Sequence, residues 1–210
     1  MNTPTAAPPK PRSISPLIWI LAICLAPVIL ALLAYYVPAL GLRPDGTNNY
    51  GHLVTPQRSL PAADALDLKT LDGKPFDLRS LNGKWILLSA DQSACPKECV
   101  TKLFILRNSH ASQGKDVERL TRVWLVTDAG PIADEIRDAY KGTIILRGDP
   151  ARLAAYFAPK AAAQDASAEL AKPMWIIDPL GNLMMQYPPD ADPISVRDDI
   201  RKLLKNSHIG

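Results

Sequence analysis

"GKWILLSADQSACPKEC", residues 83–99, joins a continuous apolar run to two cysteines that are separated by three residues. The run from Trp85 to Leu88 has no alternation of polar and apolar side chains. A strand that is covered on both faces has this pattern, so the segment predicts a buried strand in an α/β sheet. Pro96 and the periodic apolar residues after it predict a helix over 96–114. The cysteines therefore lie where a strand passes into a helix.

The segments on both sides continue this pattern of strands and helices. "ALDLKTLDGKPFDL" predicts a β-hairpin around Asp72-Gly73, because Asp-Gly is a strong signal for a tight turn. A mobile loop with some helical tendency is expected at 159–170, and Ile194 is expected on the inward face of the last helix. We therefore predict an α/β fold with a mixed sheet flanked by helices. The remaining predicted elements are strands at 122–128, 142–149 and 173–187, the last of these interrupted by a turn, and helices at 131–140 and 192–207.

An uncharged apolar segment near the N-terminus covers residues 16–37. At about 1.5 Å per residue, a helix of this length crosses a hydrocarbon core of roughly 30 Å, so it predicts one transmembrane helix in the lipid bilayer, kinked at Pro27. A retained anchor is favoured over a cleaved signal peptide because the run is long. Lys10 and Arg12 precede the run and place the N-terminus in the cytoplasm. The C-terminal part is then expected in the periplasm, on the outer side of a bacterial inner membrane.

Composition supports a chain with four parts. Prolines crowd both flanks of the apolar segment, which indicates extended or disordered chain there. The net charge of +3 is too small to indicate a nucleic-acid partner. The predicted parts are a disordered cytoplasmic tail at 1–15, the transmembrane helix at 16–37, an extended linker at 38–63 and the α/β domain at 64–207.

The spacing of Cys95 and Cys99 brings both thiols to one face of the predicted helix. Their Cα atoms are expected about 6 Å apart, within the range of roughly 4.4–6.8 Å that a disulfide tolerates. The pair could be a structural disulfide, a reversible redox couple or part of a metal site. A bridge that closes so short a loop adds little stability, which favours a functional pair. The helix N-terminus favours a thiolate at Cys95, which makes it the expected nucleophile.

"LDGKPFDLRSLNGKWILLSADQSACPKEC", residues 71–99, runs from the hairpin through a "GKW" strand into a "CPxxC" motif. Together with the membrane anchor, this arrangement resembles the Sco/SenC branch of the thioredoxin superfamily over roughly residues 66–204. The resemblance implies a thioredoxin-like fold. It also implies a role in cytochrome c oxidase assembly, with an oxidase subunit or another copper or thiol protein as the partner. In that family the two cysteines and a distant histidine bind copper.

The chain departs from the family pattern at the histidine. Aligning "MWIIDPLGN", residues 174–182, with the corresponding family strand puts the histidine position near Glu169-Leu170, where no histidine occurs. Pro173 falls where thioredoxin-like proteins carry a cis-proline. The chain has three histidines, none of which is a natural third ligand by its position: His52, His110 and His208.

Two thiolates at Cys95 and Cys99 suit Cu(I), whereas a structural zinc site usually has four protein ligands. Cys24 lies in the apolar run and is expected to act as a small hydrophobe. Three hypotheses follow: an assembly factor that handles Cu(I) or a partner's thiol redox state, a thiol–disulfide oxidoreductase without metal, and an interaction protein that kept the fold. A third copper ligand could come from a methionine, although core packing is favoured for these residues: Met174, Met184 and Met185.

Overall fold

The computed structural model of the protein describes residues 14–37, 49–207 and 209. The chain divides into two compact units, Met1–Asn48 and Asn49–Gly210. Most of the predicted cytoplasmic tail, residues 38–48 of the predicted linker and His208 lie outside the described residues.

The described part of the first unit is dominated by one helix, α1 (Ser15–Tyr36). It is long and apolar enough to cross a membrane, and it contains Pro27. The helix predicted over 16–37 is therefore confirmed as a helix. Cys24 lies within it and is a free, exposed cysteine.

The second unit contains one mixed sheet of eight strands, in the order β1-β8-β7-β4-β5-β6-β2-β3. Strands β4, β5 and β6 are parallel to one another, and the other neighbours are antiparallel. The mixed α/β sheet and the predicted β2–β3 hairpin are thus confirmed. The strands are β1 (His52–Ser59), β2 (Leu68–Thr70), β3 (Pro75–Phe76), β4 (Trp85–Asp91), β5 (Leu120–Val126), β6 (Ile144–Arg147), β7 (Met174–Ile177) and β8 (Asn182–Tyr187).

Helices cover both faces of this sheet. Asp149 and Asp192 cap the helices that follow them, because their carboxylates accept hydrogen bonds from the backbone N–H groups of Arg152 and Ser195. The loop expected at 159–170 contains a short helix. The α-helices of the unit are α2 (Ala63–Leu66), α3 (Lys97–Ala111), α4 (Asp134–Ala139), α5 (Pro150–Phe157), α6 (Ala166–Leu170) and α7 (Pro193–Asn206).

Two apolar clusters form, one on each face of the central strands. Leu87 of β4 packs in the cluster with α3, α7 and both domain cysteines, whereas Leu88 packs in the other cluster with α5 and α6. This division follows from the alternation of side chains along a strand. Ile194 was expected to face the core, but it is 58% exposed. It precedes Val196 by two residues, and residues at that spacing point to different sides of a helix.

The strand β1 was not predicted, because its residues were assigned to the extended linker at 38–63. It pairs with β8 only near its two ends, and a bulge separates the two paired regions. The backbone N–H groups of Tyr50 and Gly51 both donate to Oδ2 of the buried Asp199 at 2.8 Å. A Cβ atom at Gly51 would lie 2.5 Å from Met185 Sδ, so only glycine fits there without a shift of its neighbours. The folded unit consequently begins near Asn49, earlier than the predicted residue 64.

Candidate functional site

The cysteine pair lies between the end of β4 and the start of α3, at the C-terminal edge of the parallel strands. Open α/β sheets place their functional sites at this edge. Pro96 is the N-cap of α3 and has an extended backbone, and no side chain caps the helix. Cys95 therefore precedes the N-cap by one residue, whereas the helix predicted over 96–114 would make Cys95 itself the N-cap.

The structure joins Cys95 and Cys99 in a disulfide with their Cα atoms 5.0 Å apart. Cys95 is 6% exposed and Cys99 is 0% exposed. A sulfur atom of another molecule can therefore reach Cys95 more readily than Cys99. The uncapped N-terminus of α3 favours negative charge close to Cys95. This geometry is compatible with the prediction that Cys95 is the nucleophile.

A braced loop holds Cys95 in place. The backbone of Cys95 is left-handed, with φ 43°, a conformation that is uncommon for residues other than glycine. Its N–H donates to the Gln92 carbonyl at 3.1 Å, and the Ser93 N–H donates to Asp128 Oδ1 at 3.0 Å. A Cβ atom at Gly130 would lie 2.3 Å from Ser93 Oγ, so the connection after β5 packs closely on this loop.

A buried ion pair joins the end of β4 to α3, and it was not predicted from the sequence. Lys102 Nζ is 2.7 Å from Asp91 Oδ2, and each side chain is only 3% exposed. The ammonium also donates to the carbonyls of Ala90 and Ala171. Burial raises the pKa of Asp91 to about 6, although the charge of Lys102 acts in the opposite direction. Burial likewise lowers the pKa of Lys102.

The histidines offer no third ligand within the part of the chain that is described. His52 is exposed at the start of β1. His110 is near the end of α3, where burial and the charge of Arg122 lower its pKa. Across residues 14–37, 49–207 and 209, no three His, Cys, Asp or Glu side chains come together as a metal site would require. Among the described residues, a soft ion at the two cysteine sulfurs would therefore have two thiolate ligands, or these and a thioether.

The predicted methionine candidates lie on the same side of the sheet as the cysteines. Met174 and Met185 are buried in the apolar cluster that contains Cys95 and Cys99, and Met184 packs against that cluster. Their burial among apolar side chains fits the packing role that the sequence analysis favoured. Met174 is the first residue of β7 and pairs with Ser89 of β4, which places it near the cysteine end of the sheet.

The inferred histidine position lies away from the cysteines. Leu170 is fully buried in the cluster with α5 and α6, on the opposite face of the sheet from Cys95 and Cys99. A side chain at this position points into the core and not toward the cysteine pair. Pro173 lines a groove of about 900 Å³. The cis peptide bond within the described residues precedes Pro56, and the bond before Pro173 is trans.

The sheet topology and the cysteine pair at the end of β4 define a thioredoxin-like protein. Residues 85–207 match the family model described as "Transmembrane-like, thioredoxin-like, C-terminal domain". The match covers more than half of the chain, and the chain belongs to this family. No curated protein matches the sequence.

Three solved structures illustrate the shared fold. Copper-bound ScoI from Arabidopsis thaliana is 17% identical with a TM-score of 0.52, covering 75% of this chain and 99% of its own. Apo Sco1 from Thermus thermophilus is 19% identical with a TM-score of 0.51, covering 77% and 98%. A candidate protein disulfide isomerase from Bacteroides thetaiotaomicron is 21% identical with a TM-score of 0.50, covering 76% and 96%. The predicted structural resemblance to Sco proteins is thereby confirmed at the level of the fold.

Proposed function

We propose that this protein is a membrane-anchored, thioredoxin-like assembly factor that controls the thiol redox state of a partner's copper site. The proposed partner is a cytochrome c oxidase subunit or another copper protein with paired cysteines. Helix α1 anchors the chain in a bacterial inner membrane, residues 1–15 form the cytoplasmic tail, and the thioredoxin-like domain faces the periplasm. The observation that carries this proposal is the disulfide between Cys95 and Cys99 at the junction of β4 and α3.

The proposed reaction reduces a disulfide of the partner. The Cys95 thiolate attacks one partner sulfur, forms a mixed disulfide and releases the second partner sulfur as a thiolate, which takes a proton from water. The Cys99 thiolate then attacks Cys95 Sγ, which forms the bond seen in the structure and releases the first partner sulfur. The partner leaves as a dithiol, and an external dithiol reductant must reduce Cys95–Cys99 before the next cycle.

Transient Cu(I) binding is a second candidate function. Two thiolates are soft ligands that suit Cu(I), and the thioether of Met174 lies in the same apolar cluster as both cysteines. Without a histidine ligand, we expect Cu(I) to be favoured strongly over Cu(II), which prefers nitrogen and oxygen donors. Copper would be cargo at this site, at one ion per chain.

Thiol exchange and copper binding can be separated with the full-length chain in detergent, in a Cys24→Ser background that removes the other thiol. The oxidised chain is mixed with a dithiol reductant and the thiols are counted; the reduced chain is titrated anaerobically with Cu(I). Reversible loss and gain of two thiols supports exchange, and Cys95→Ser and Cys99→Ser should each abolish it. Cu(I) binding that both substitutions abolish supports the copper branch. If the Cys95–Cys99 pair neither undergoes thiol–disulfide exchange nor binds Cu(I), the remaining hypothesis is that the chain is a non-catalytic interaction protein.

A further inference from the structure

The loops that follow β4, β5 and β6 lie side by side at the edge of the sheet that carries the cysteines. These three strands are parallel, and their last residues are paired in register, Asp91 with Val126 and Val126 with Arg147. Parallel strands bring the segments that follow them to one edge of the sheet. Contacts between these loops can therefore act on the backbone that leads into Cys95.

Arg147, the last residue of β6, holds the loop that follows β5. Its guanidinium donates from Nη1 to the Asp128 carbonyl at 2.6 Å and from Nη2 to the Gly130 carbonyl at 2.8 Å. Arginine carries its N–H donors in one rigid plane, so two bonds to nearby carbonyls fix the path of the loop.

The same loop holds the segment that precedes Cys95. Asp128 Oδ1 accepts a hydrogen bond from the Ser93 N–H at 3.0 Å, and a Cβ atom at Gly130 would lie 2.3 Å from Ser93 Oγ. We call these four residues, Arg147, Asp128, Gly130 and Ser93, the brace. The brace is a series of contacts from β6, through the loop after β5, to the loop after β4. It ends two residues before Cys95.

The brace acts on a strained part of the backbone. Cys95 has φ 43°, and this left-handed conformation lowers the population of a residue other than glycine by a factor of about 5 to 30. Within the loop itself, one hydrogen bond from the Cys95 N–H to the Gln92 carbonyl closes the turn. Strained conformations persist where the surrounding structure determines them, and the brace supplies contacts of this kind.

We propose that the brace positions Cys95 by keeping its loop left-handed in both the dithiol and the disulfide, and that it thereby makes the dithiol a stronger reductant. This inference rests on the proposed thiol exchange. Without the brace, the loop of the reduced chain relaxes, and closing the disulfide must restore the left-handed backbone. With the brace, that conformational cost is met on folding, so the bond to Cys99 forms more favourably. A more stable disulfide means that the dithiol passes its electrons to a partner disulfide more readily.

The test measures the equilibrium of the Cys95–Cys99 disulfide with glutathione, in the full-length chain with Cys24→Ser in detergent. Two glutathione thiols give two electrons and two protons to the protein disulfide, which becomes a dithiol, and they join as glutathione disulfide. Alkylation and mass spectrometry give the dithiol fraction over a series of ratios of reduced to oxidised glutathione.

Loss of the brace should favour the protein dithiol. Asp128→Ala and Arg147→Met should each shift the equilibrium toward the dithiol by about 5- to 30-fold, the factor by which the left-handed backbone is disfavoured. Since a tenfold shift equals about 30 mV for two electrons, the reduction potential should rise by about 20–45 mV.

Conservative and compensating variants separate positioning from a loss of charge. Asp128→Asn keeps an oxygen that can accept the Ser93 N–H, so its equilibrium constant should stay within about threefold of the unsubstituted value. Gly130→Ala should shift the equilibrium in the same direction as Asp128→Ala, because its Cβ atom would overlap Ser93 Oγ. Gly130→Ala/Ser93→Ala removes that oxygen and leaves the Cβ atom of residue 93 at 3.5 Å, an ordinary contact, so it should reverse most of the shift.

Arg152→Met is the matched control, because Arg152 on α5 also donates to a backbone carbonyl, that of Asp64. It should leave the equilibrium unchanged. An unchanged potential in Asp128→Ala and Arg147→Met, or an equal shift in Arg152→Met, would overturn the inference while leaving thiol exchange intact. An Asp128→Asn shift as large as that of Asp128→Ala would also overturn it, since the effect would then come from charge.

If Asp128→Ala or Arg147→Met does not fold, Gly130→Ala and its compensating double variant decide the question. Equal potentials in those two variants would overturn the inference. A Cys24→Ser chain without a reversible equilibrium with glutathione would overturn the proposed function as well.

Discussion

Substitution of Leu170 by histidine distinguishes the structure from the position that alignment with Sco proteins suggested for a copper ligand. Leu170 is 0% exposed and packs in the cluster on the opposite face from the cysteines. Truncating such a leucine costs about 2–5 kcal/mol, and a buried imidazole without a partner adds about 1–3 kcal/mol. Because the ring refills part of the space, we expect the free energy of unfolding to fall by about 3–5 kcal/mol. For a chain of this size, each 1 kcal/mol lowers Tm by about 2–4 °C, so Tm should fall by roughly 10 °C.

The assay is thermal unfolding of the full chain in detergent, followed by tryptophan fluorescence, together with a Cu(II) titration. Glu169→His is the matched control, because Glu169 is adjacent, carries a side chain that is 38% exposed and forms only a surface ion pair with Lys172. Its stability should stay within about 0.5 kcal/mol of the unsubstituted chain. Two results would refute the placement of Leu170 in the apolar cluster on the other face of the sheet from the cysteines. One is unchanged stability of Leu170→His, and the other is a thiolate-to-Cu(II) absorption band that depends on Cys95.

Three further predictions concern the anchor, the start of the folded unit and the cysteines. Alkaline phosphatase fused after Gly210 should be active, because the uncharged span and the basic residues before it predict that the C-terminus lies outside the cytoplasm. An active cytoplasmic reporter there would contradict this topology. Gly51→Ala should lower the free energy of unfolding in urea by about 1–3 kcal/mol, because the new Cβ atom would lie 2.5 Å from the Met185 sulfur of β8. An unchanged free energy of unfolding would show that the methionine side chain moves away at no cost. Alkylation followed by mass spectrometry should show that Cys95 and Cys99 both react only after reduction, whereas Cys24 reacts equally before and after it. If Cys95 and Cys99 stay reduced in air, they are not a redox couple.

The sequence was most informative where a segment is buried on both sides. Strand β4 is buried at every position, and its continuous apolar run predicted this directly. The helix after the cysteines, the hairpin at Asp72-Gly73 and the apolar helix α1 were predicted on equally local signals. In each case one physical requirement, such as burial, a tight turn or a membrane-spanning length, fixed the residue types.

Features that depend on contacts between distant segments were missed. Strand β1 contains Pro56 and mostly exposed residues, so nothing local marks it as a strand; its position depends on β8 and on the hydrogen bonds to Asp199. The left-handed backbone of Cys95 depends on the loop contacts around it, since its sequence contains no glycine signal. The ion pair between Asp91 and Lys102 has one signal in the sequence, a carboxylate at the end of a buried strand and a lysine three residues after Cys99.

The charge of the buried site favours thiol exchange over storage of copper. Asp91 and Lys102 neutralise each other, the disulfide is uncharged, and the reduced pair carries its negative charge on Cys95 when that thiol ionises. A Cu(I) ion with two thiolates carries one net negative charge, and a thioether ligand from Met174 would leave that charge unchanged. Placing a thiolate on the fully buried Cys99, as copper binding requires, has a desolvation cost that the disulfide and a thiolate at the more exposed Cys95 avoid. Copper held at this site is therefore expected to be transient.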